Sequence, residues 1–141
     1  MLPYQHILAA IDLRQDSRTV ATRACEVAAQ TGGTVRLLHV AQLVAMEPMG
    51  DLPVVQVDDQ MLALARRQME ALAKELGLPA GACSVEAGSA RSEILAYARE
   101  HYIDLIVIGC RERHGLSLLL HRSEGSLLQA APCDVLAVRV R

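Results

Sequence analysis

Short, unbroken apolar runs alternate with amphipathic stretches along the chain, and that alternation leaves few folds open. "HILAAI" (His6–Ile11) is apolar at every position after His6 and stops at Asp12. "DLIVIG" (Asp104–Gly109) is the most apolar run, and "DVLAVRV" (Asp134–Val140) closes the chain after Pro132. A strand with one wet face alternates apolar and polar side chains, whereas a continuous run belongs to a strand covered on both faces. Two further runs, "TVRLLHV" (Thr34–Val40) and "CSVEAG" (Cys83–Gly88), complete a set of five strands.

The segments between the runs read as helices. In "DSRTVATRACEVAAQTGG", Val20, Ala24, Val27 and Ala28 fall at helical spacing, Asp16 or Ser17 can cap the start and Gly32 can end the helix. "DDQMLALARRQMEALAKELG" sets Met61, Leu62, Ala65, Met69, Leu72 and Leu76 on one face, with Asp58 or Asp59 near the N-cap and Gly77 at the end. "SARSEILAYAREHY" turns Ile94, Leu95 and Ala98 inward, and a last helix is expected over roughly Leu118 to Ala130. The connection from Ala41 to Val57 holds Pro48, Gly50 and Pro53 and reads as at best partly regular. The order βαβαβαβαβ with both-face-buried strands predicts an α/β fold, a parallel sheet between two helix layers, in one domain spanning residues 1–141.

Composition removes several classes of function. The chain contains no Phe and no Trp, so Ala, Val, Ile, Leu and Met must fill the core. A formal charge of −2 offers no field to recruit nucleic acid. No apolar run approaches the ~18 residues that span a bilayer, and the start lacks the basic region of a signal peptide, so the expected location is the cytoplasm. Cys25, Cys83, Cys110 and Cys133 form no CxxC pair and read as reduced thiols. His114 and His121 are not spaced as a zinc motif. Ser117, Ser123 and Ser126 have no His–acid pair positioned to activate them. No metal and no catalytic residue is expected.

In an open α/β sheet, ligands bind beyond the carboxyl ends of the strands, where the winding reverses. With the first strand central, Asp12 and the backbone after Gly109 face one cleft. "DLIVIGCRERHGLSLLLHRSEGS" leads from a strand through Gly109 into a loop crowded with Arg111, Arg113, His114, His121 and Arg122.

Three stretches, "HILAAIDLRQDSRTVATRACEVAAQTGGTVRLLHV", "DLIVIGCRERHGLS" and "AAPCDVLAVRV", in this order and spacing, resemble the universal stress protein family over nearly the whole chain. The resemblance implies a three-layer α/β/α sandwich, Rossmann-like and similar to the adenine nucleotide alpha hydrolases, with a five-stranded parallel sheet in order 3-2-1-4-5. It also implies a cytoplasmic homodimer paired through the last strand, Asp134–Val140. Many members bind ATP through a loop that reads Gly, two residues, Gly, nine residues, Gly and then Ser or Thr. The candidate nucleotide-binding set implied here is Ala10, Ile11, Asp12, Val40, Ile108, Gly109, Arg111, Arg122 and Ser123.

The loop departs from that motif. Gly109 stands first, but Glu112 holds the second position and Arg122, before Ser123, the third. Counting back from "APC" puts His121 there instead, and the pair Gly125-Ser126 lies three residues too late. Glycine lets main-chain N–H groups approach phosphate oxygens. Glu112 opposes a polyphosphate by about 4 kcal/mol per charge pair at ~4 Å and an effective dielectric near 20. That offsets several hydrogen bonds worth roughly 1 kcal/mol each. Against this, the Arg/His cluster can replace main-chain donors with side-chain cations. Each candidate also has a plainer reading: Asp12 as a cap for nearby N–H groups, Val40 as the last core residue of its strand, the Arg/His cluster as a solvated loop, and Cys110 as a buried inert thiol.

The expected function is therefore a non-catalytic, dimeric stress-response protein with a degenerate nucleotide crevice. It would need no cofactor and act through protein partners that the sequence does not name. The alternative is an ATP- or AMP-binding regulatory module in which nucleotide orders Ala41–Val57 and the Arg/His loop. A slow ATPase is the third reading, without a general base or a metal-binding carboxylate pair to support it.

Overall fold

The computed structural model describes residues 3–13, 17–42, 44–49, 52–56, 59–110 and 126–140. Strands β1 (His6–Ala10), β2 (Thr34–Gln42), β5 (Cys83–Gly88), β6 (Leu105–Cys110) and β7 (Asp134–Arg139) form a five-stranded sheet in the order β5-β2-β1-β6-β7. Every pairing in it is parallel. Numbered within this sheet alone, the order is 3-2-1-4-5, with β1 at the centre.

The unbroken apolar runs have the cause inferred from sequence. Along β1, Ile7 and Ala9 enter one core with Val35 and Leu37 of β2 and Leu105 and Val107 of β6. Helices α1 (Ser17–Thr31) and α2 (Asp59–Glu75) cover that face through Val20, Ala21, Ala24, Met69, Leu72 and Ala73. The alternate residues Leu8, Ala10, Leu38, Ile106 and Ile108 enter a second core. Helix α3 (Ala90–Glu100) covers it with Ile94, Leu95 and Ala98, joined by Leu127 of the short α4 (Leu127–Ala130). Ile7, Leu8 and Ala9 are all 0 % exposed, so β1 has no wet face.

One expectation gains detail and three change. The Ala41–Val57 connection contains two strands, β3 (Val44–Met49) and β4 (Leu52–Gln56), paired antiparallel with a register shift between Met46 and Met49. Pro48 and Pro53 are compatible with this because each strand of a two-stranded ribbon keeps an open edge that needs no N–H donor. The helix expected from Leu118 to Ala130 is not continuous, being interrupted at Ser126 ahead of the short helix Leu127–Ala130. Ser126 is extended (φ −65°, ψ 153°), and its Oγ accepts the Gln129 N–H at 3.2 Å as an N-cap. Residues 118–125 of that expected helix, like Asp16 and Asp58, lie outside the described residues. Met61, assigned to the core face of α2, is 67 % exposed, because the first turn of α2 precedes the part that meets the sheet. Val40 does not end β2, which runs on to Gln42.

The amino ends of the strands are tied by a polar clamp. Asp104 accepts the main-chain N–H groups of Gln5 at 2.8 Å and His6 at 3.0 Å, fixing the start of β1 beside the start of β6. The Tyr4 hydroxyl donates to Asp134 Oδ2 at 2.7 Å, and this bond chiefly pushes the phenol's pKa up. Thr31 Oγ1 donates to the Tyr4 carbonyl at 2.8 Å. Gly33 crosses beneath this clamp so closely that a Cβ would lie 2.3 Å from the Tyr4 carbonyl oxygen. At the other end of the sheet, a Cβ on Gly109 would lie 3.1 Å from Cγ2 of Val20 in α1.

Three stability effects follow, each measurable by urea unfolding. Gly33→Ala costs about 3 kcal/mol, because main-chain atoms of the clamp must move. Asp104→Ala costs about 2 kcal/mol by leaving two N–H groups without their carboxylate. Gly109→Ala costs about 1 kcal/mol, and less in a Val20→Ala background, since the clash is with that one side chain. An unchanged cost in the double variant would show that Val20 is not what limits residue 109.

Candidate functional site

The winding reverses beside β1: β2 lies on one side and β6, reached only after β5 and α3, on the other. Ligands enter such a sheet at this point, beyond the carboxyl ends of the strands. Ala10 pairs in register with Ile108, so the residues that follow them, Ile11-Asp12 and Gly109-Cys110, flank one crevice. Ala10, Ile11 and Ile108 are buried, and Asp12 is half-exposed at the rim. Val40 comes from β2 on the other side of β1 and is buried. The structure thus brings together Ala10, Ile11, Asp12, Val40, Ile108 and Gly109. Arg111, Arg122 and Ser123 lie outside the described residues, as do Glu112, His114, His121 and Ser117.

Asp12 stands five positions ahead of the first residue of α1, which places it in the loop and not at the helix N-cap. Gly109 is outside the left-handed region of φ. Its lack of a side chain is used by Val20, so the glycine has a packing reason that needs no phosphate.

One polar residue at this end was not singled out from the sequence. The His39 ring lies in β2, with Nδ1 2.8 Å from the Ile11 carbonyl oxygen. Because a carbonyl only accepts, Nδ1 carries the proton and donates. The Ile11 N–H meanwhile donates to the Leu38 carbonyl at 2.8 Å. Both main-chain groups of Ile11, the residue before Asp12, are therefore tied to β2. A polar residue interrupting the apolar "TVRLLHV" was the available signal.

The thiols offer little nucleophilic chemistry. All four cysteines are free. Burial pushes Cys25 and Cys83 up, and it takes Cys133 to about 11, with Asp134 and Asp104 adding to the effect. A thiol raised in this way stays protonated and unreactive near neutrality. Cys110, at the crevice, is half-buried. Among the described residues no group of three or more His, Cys, Asp or Glu could hold a metal ion, and no helix is long and apolar enough to cross a membrane.

Known proteins share both the sequence and the fold. The profile described as "Universal stress protein family" matches residues 3–139. Universal stress protein A homolog 2 of Coxiella burnetii is 33% identical over 141 residues, covering 98% of this chain and 97% of the relative. The solved universal stress protein UspA from Lactobacillus plantarum superposes with a TM-score of 0.68 at 22% identity, covering 99% of this chain and 100% of that one. A universal stress protein solved in complex with cAMP superposes with a TM-score of 0.60 at 19% identity, covering 96% of each chain. A match this long, on a 3-2-1-4-5 parallel sheet with its crevice at the β1–β6 reversal, means that the chain belongs to the universal stress protein family.

Proposed function

We propose that this chain is a non-catalytic, homodimeric stress-response protein of the cytoplasm, acting through protein partners, whose crevice has lost the triphosphate cradle of the ATP-binding members. The observation that carries the reading is the fate of the three motif glycines. Gly109 remains, but its proximity to Val20 accounts for it. Glu112 and Arg122 occupy the other two positions, where side chains obstruct main-chain approach to phosphate and Glu112 adds repulsion.

Dimerisation through β7 has a physical motive. β7 is an edge strand of the sheet, with Val135 and Leu136 half-buried and Ala137 exposed. An edge of this kind needs a partner or a cover, and a second β7 across a twofold axis supplies one.

A second reading keeps a nucleotide with fewer phosphates, AMP or a cyclic analogue. It is favoured by the preserved sheet end, where Asp12 and Val40 flank the crevice, and by the likeness to a family member in complex with cAMP.

Thermal unfolding with added ligand separates the readings. A ligand at a hundred times its Kd adds about 2.7 kcal/mol, or roughly 5–10 °C for a chain this size. No shift is expected with millimolar ATP and Mg²⁺, and a clear one would overturn the loss of the cradle. A shift with AMP alone decides for the second reading. Sedimentation at micromolar concentration is expected to show a dimer that Val135→Lys converts to monomer; a monomeric wild-type chain would refute the pairing.

A further inference from the structure

β7 is one edge of the main sheet, and β5 (Cys83–Gly88) is the other, pairing with β2 alone. The Leu37 N–H donates to the Ala82 carbonyl at 2.8 Å, so the main-chain groups of Ser84 and Glu86, in step with Ala82, turn towards β2. Those of Cys83, Val85 and Ala87 point away from the sheet, where among the described residues no strand pairs with them. Beside this edge runs a groove of about 280 Å³, in which Arg66, Met69 and Glu70 of α2 stand against Cys83 and Val85. An open edge of this kind is a template for an added strand.

A cation lies at the same edge. Arg36 of β2 is half-buried, and its Nη1 donates to the Tyr97 hydroxyl of α3 at 3.5 Å. That hydroxyl lies 3.4 Å from Oγ of Ser84, on β5 itself. Tyr97 is 6 % exposed, and its ring packs on that of His101 with centroids 4.0 Å apart. Among the described residues no carboxylate lies within ion-pair distance of Arg36. A guanidinium carries five N–H donors and no acceptor, and the phenol takes one of them. With Tyr97 accepting from Arg36, the phenol's own proton points to Ser84, and the Ser84 hydroxyl keeps its proton for a further acceptor. Arg36, Tyr97 and Ser84 thus form a run of donors that starts at an unneutralised cation and ends on the open strand. A half-buried guanidinium is best matched by a carboxylate.

We propose that the β5 edge is a docking site for an extended segment of a partner protein, added alongside β5, with an Asp or Glu side chain seated on Ser84 and Arg36. Main-chain bonds to Cys83, Val85 and Ala87 supply affinity, and the acid sets the register. Neighbouring side chains of the added strand point to the other face, towards Met69 in the α2 groove. Glu86 is exposed two residues beyond Ser84 on the same face and repels an acid placed further along, which confines it to the Ser84 position. The assignment rests on the partner-dependent reading above and names the chemistry of that partner. It lies outside the crevice at the β1–β6 reversal, since β2 and β1 separate the two.

Panning a phage-displayed library of random heptapeptides on the intact protein tests it. The wild type is expected to select peptides of alternating β-branched residues with an Asp or Glu among them. The tightest of these binds about tenfold better than its Asn or Gln counterpart, as a charge-assisted hydrogen bond predicts. In Arg36→Leu the two peptides bind alike. In the complex the amides of Cys83, Val85 and Ala87 exchange more slowly with solvent, while those of β7 are unchanged. If Arg36→Leu does not fold, Ser84→Ala takes its place and is expected to weaken the acidic peptide more than the amide one.

No selected peptide, selection without preference for an acid, or protection at β7 or the crevice in place of β5 overturns the proposal. So does assembly beyond the dimer that Arg36→Leu abolishes, because the occupant is then a second copy of this chain. A wild type that fails the selection yet ignores ATP and sediments as a dimer refutes the edge assignment alone. A thermal shift with ATP refutes the loss of the cradle and leaves a positive selection at β5 standing.

Discussion

The burial of β1 on both faces is the constraint from which the rest of the architecture follows. Its side chains enter two separate cores, so helices must lie above and below the sheet, and a parallel sheet with covered faces admits water only at its ends and edges. The amino end is closed by Asp104, Tyr4, Thr31 and the close passage of Gly33. The carboxyl end at the β1–β6 reversal is the place at which sheets of this kind take ligands. Helix α1 presses Val20 onto Gly109 and so draws the first core up to that opening.

The crevice is built from two kinds of parts with different sensitivities to substitution. The sheet-end parts, from Ala10 to Asp12 and around Val40, are positioned by main-chain pairing and by the His39 ring, and they survive as long as the strands do. A phosphate-binding loop in general depends on main-chain N–H groups brought close to the ligand, an approach that side chains obstruct. A chain can therefore keep the first while losing the second. The family fold is present here with glycine at one of the three motif positions, Gly109, which packs beside Val20.

The strands were the most legible elements. Each of the five main-sheet strands lies within one residue or two of its expected limits, and in β1 and β6 two-sided burial writes itself as an unbroken apolar run. α3 was equally clear, with Ile94, Leu95 and Ala98 all inward. Errors fell where the local pattern was ambiguous. Met61 fits the helical face of α2 by spacing but lies beyond the sheet it was expected to meet. Pro48, Gly50 and Pro53 marked the Ala41–Val57 connection as at best partly regular, and a short two-stranded ribbon with a register shift is compatible with that. A single helix to Ala130 ignored Ser126, whose hydroxyl makes a better cap than a helix-interior residue.

By itself the sequence determined the layer architecture, the family, and the absence of glycine at two of the three phosphate-loop positions, since these are matters of residue type and spacing along the chain. The strand order came from resemblance, because periodicity does not say which strands are neighbours. Only the tertiary structure decided that Gly109 packs closely beside Val20 and that Ile11 and His39 meet across a strand boundary. Each is a contact between residues far apart in sequence, and its distance depends on how helices and strands pack once the chain has closed on itself.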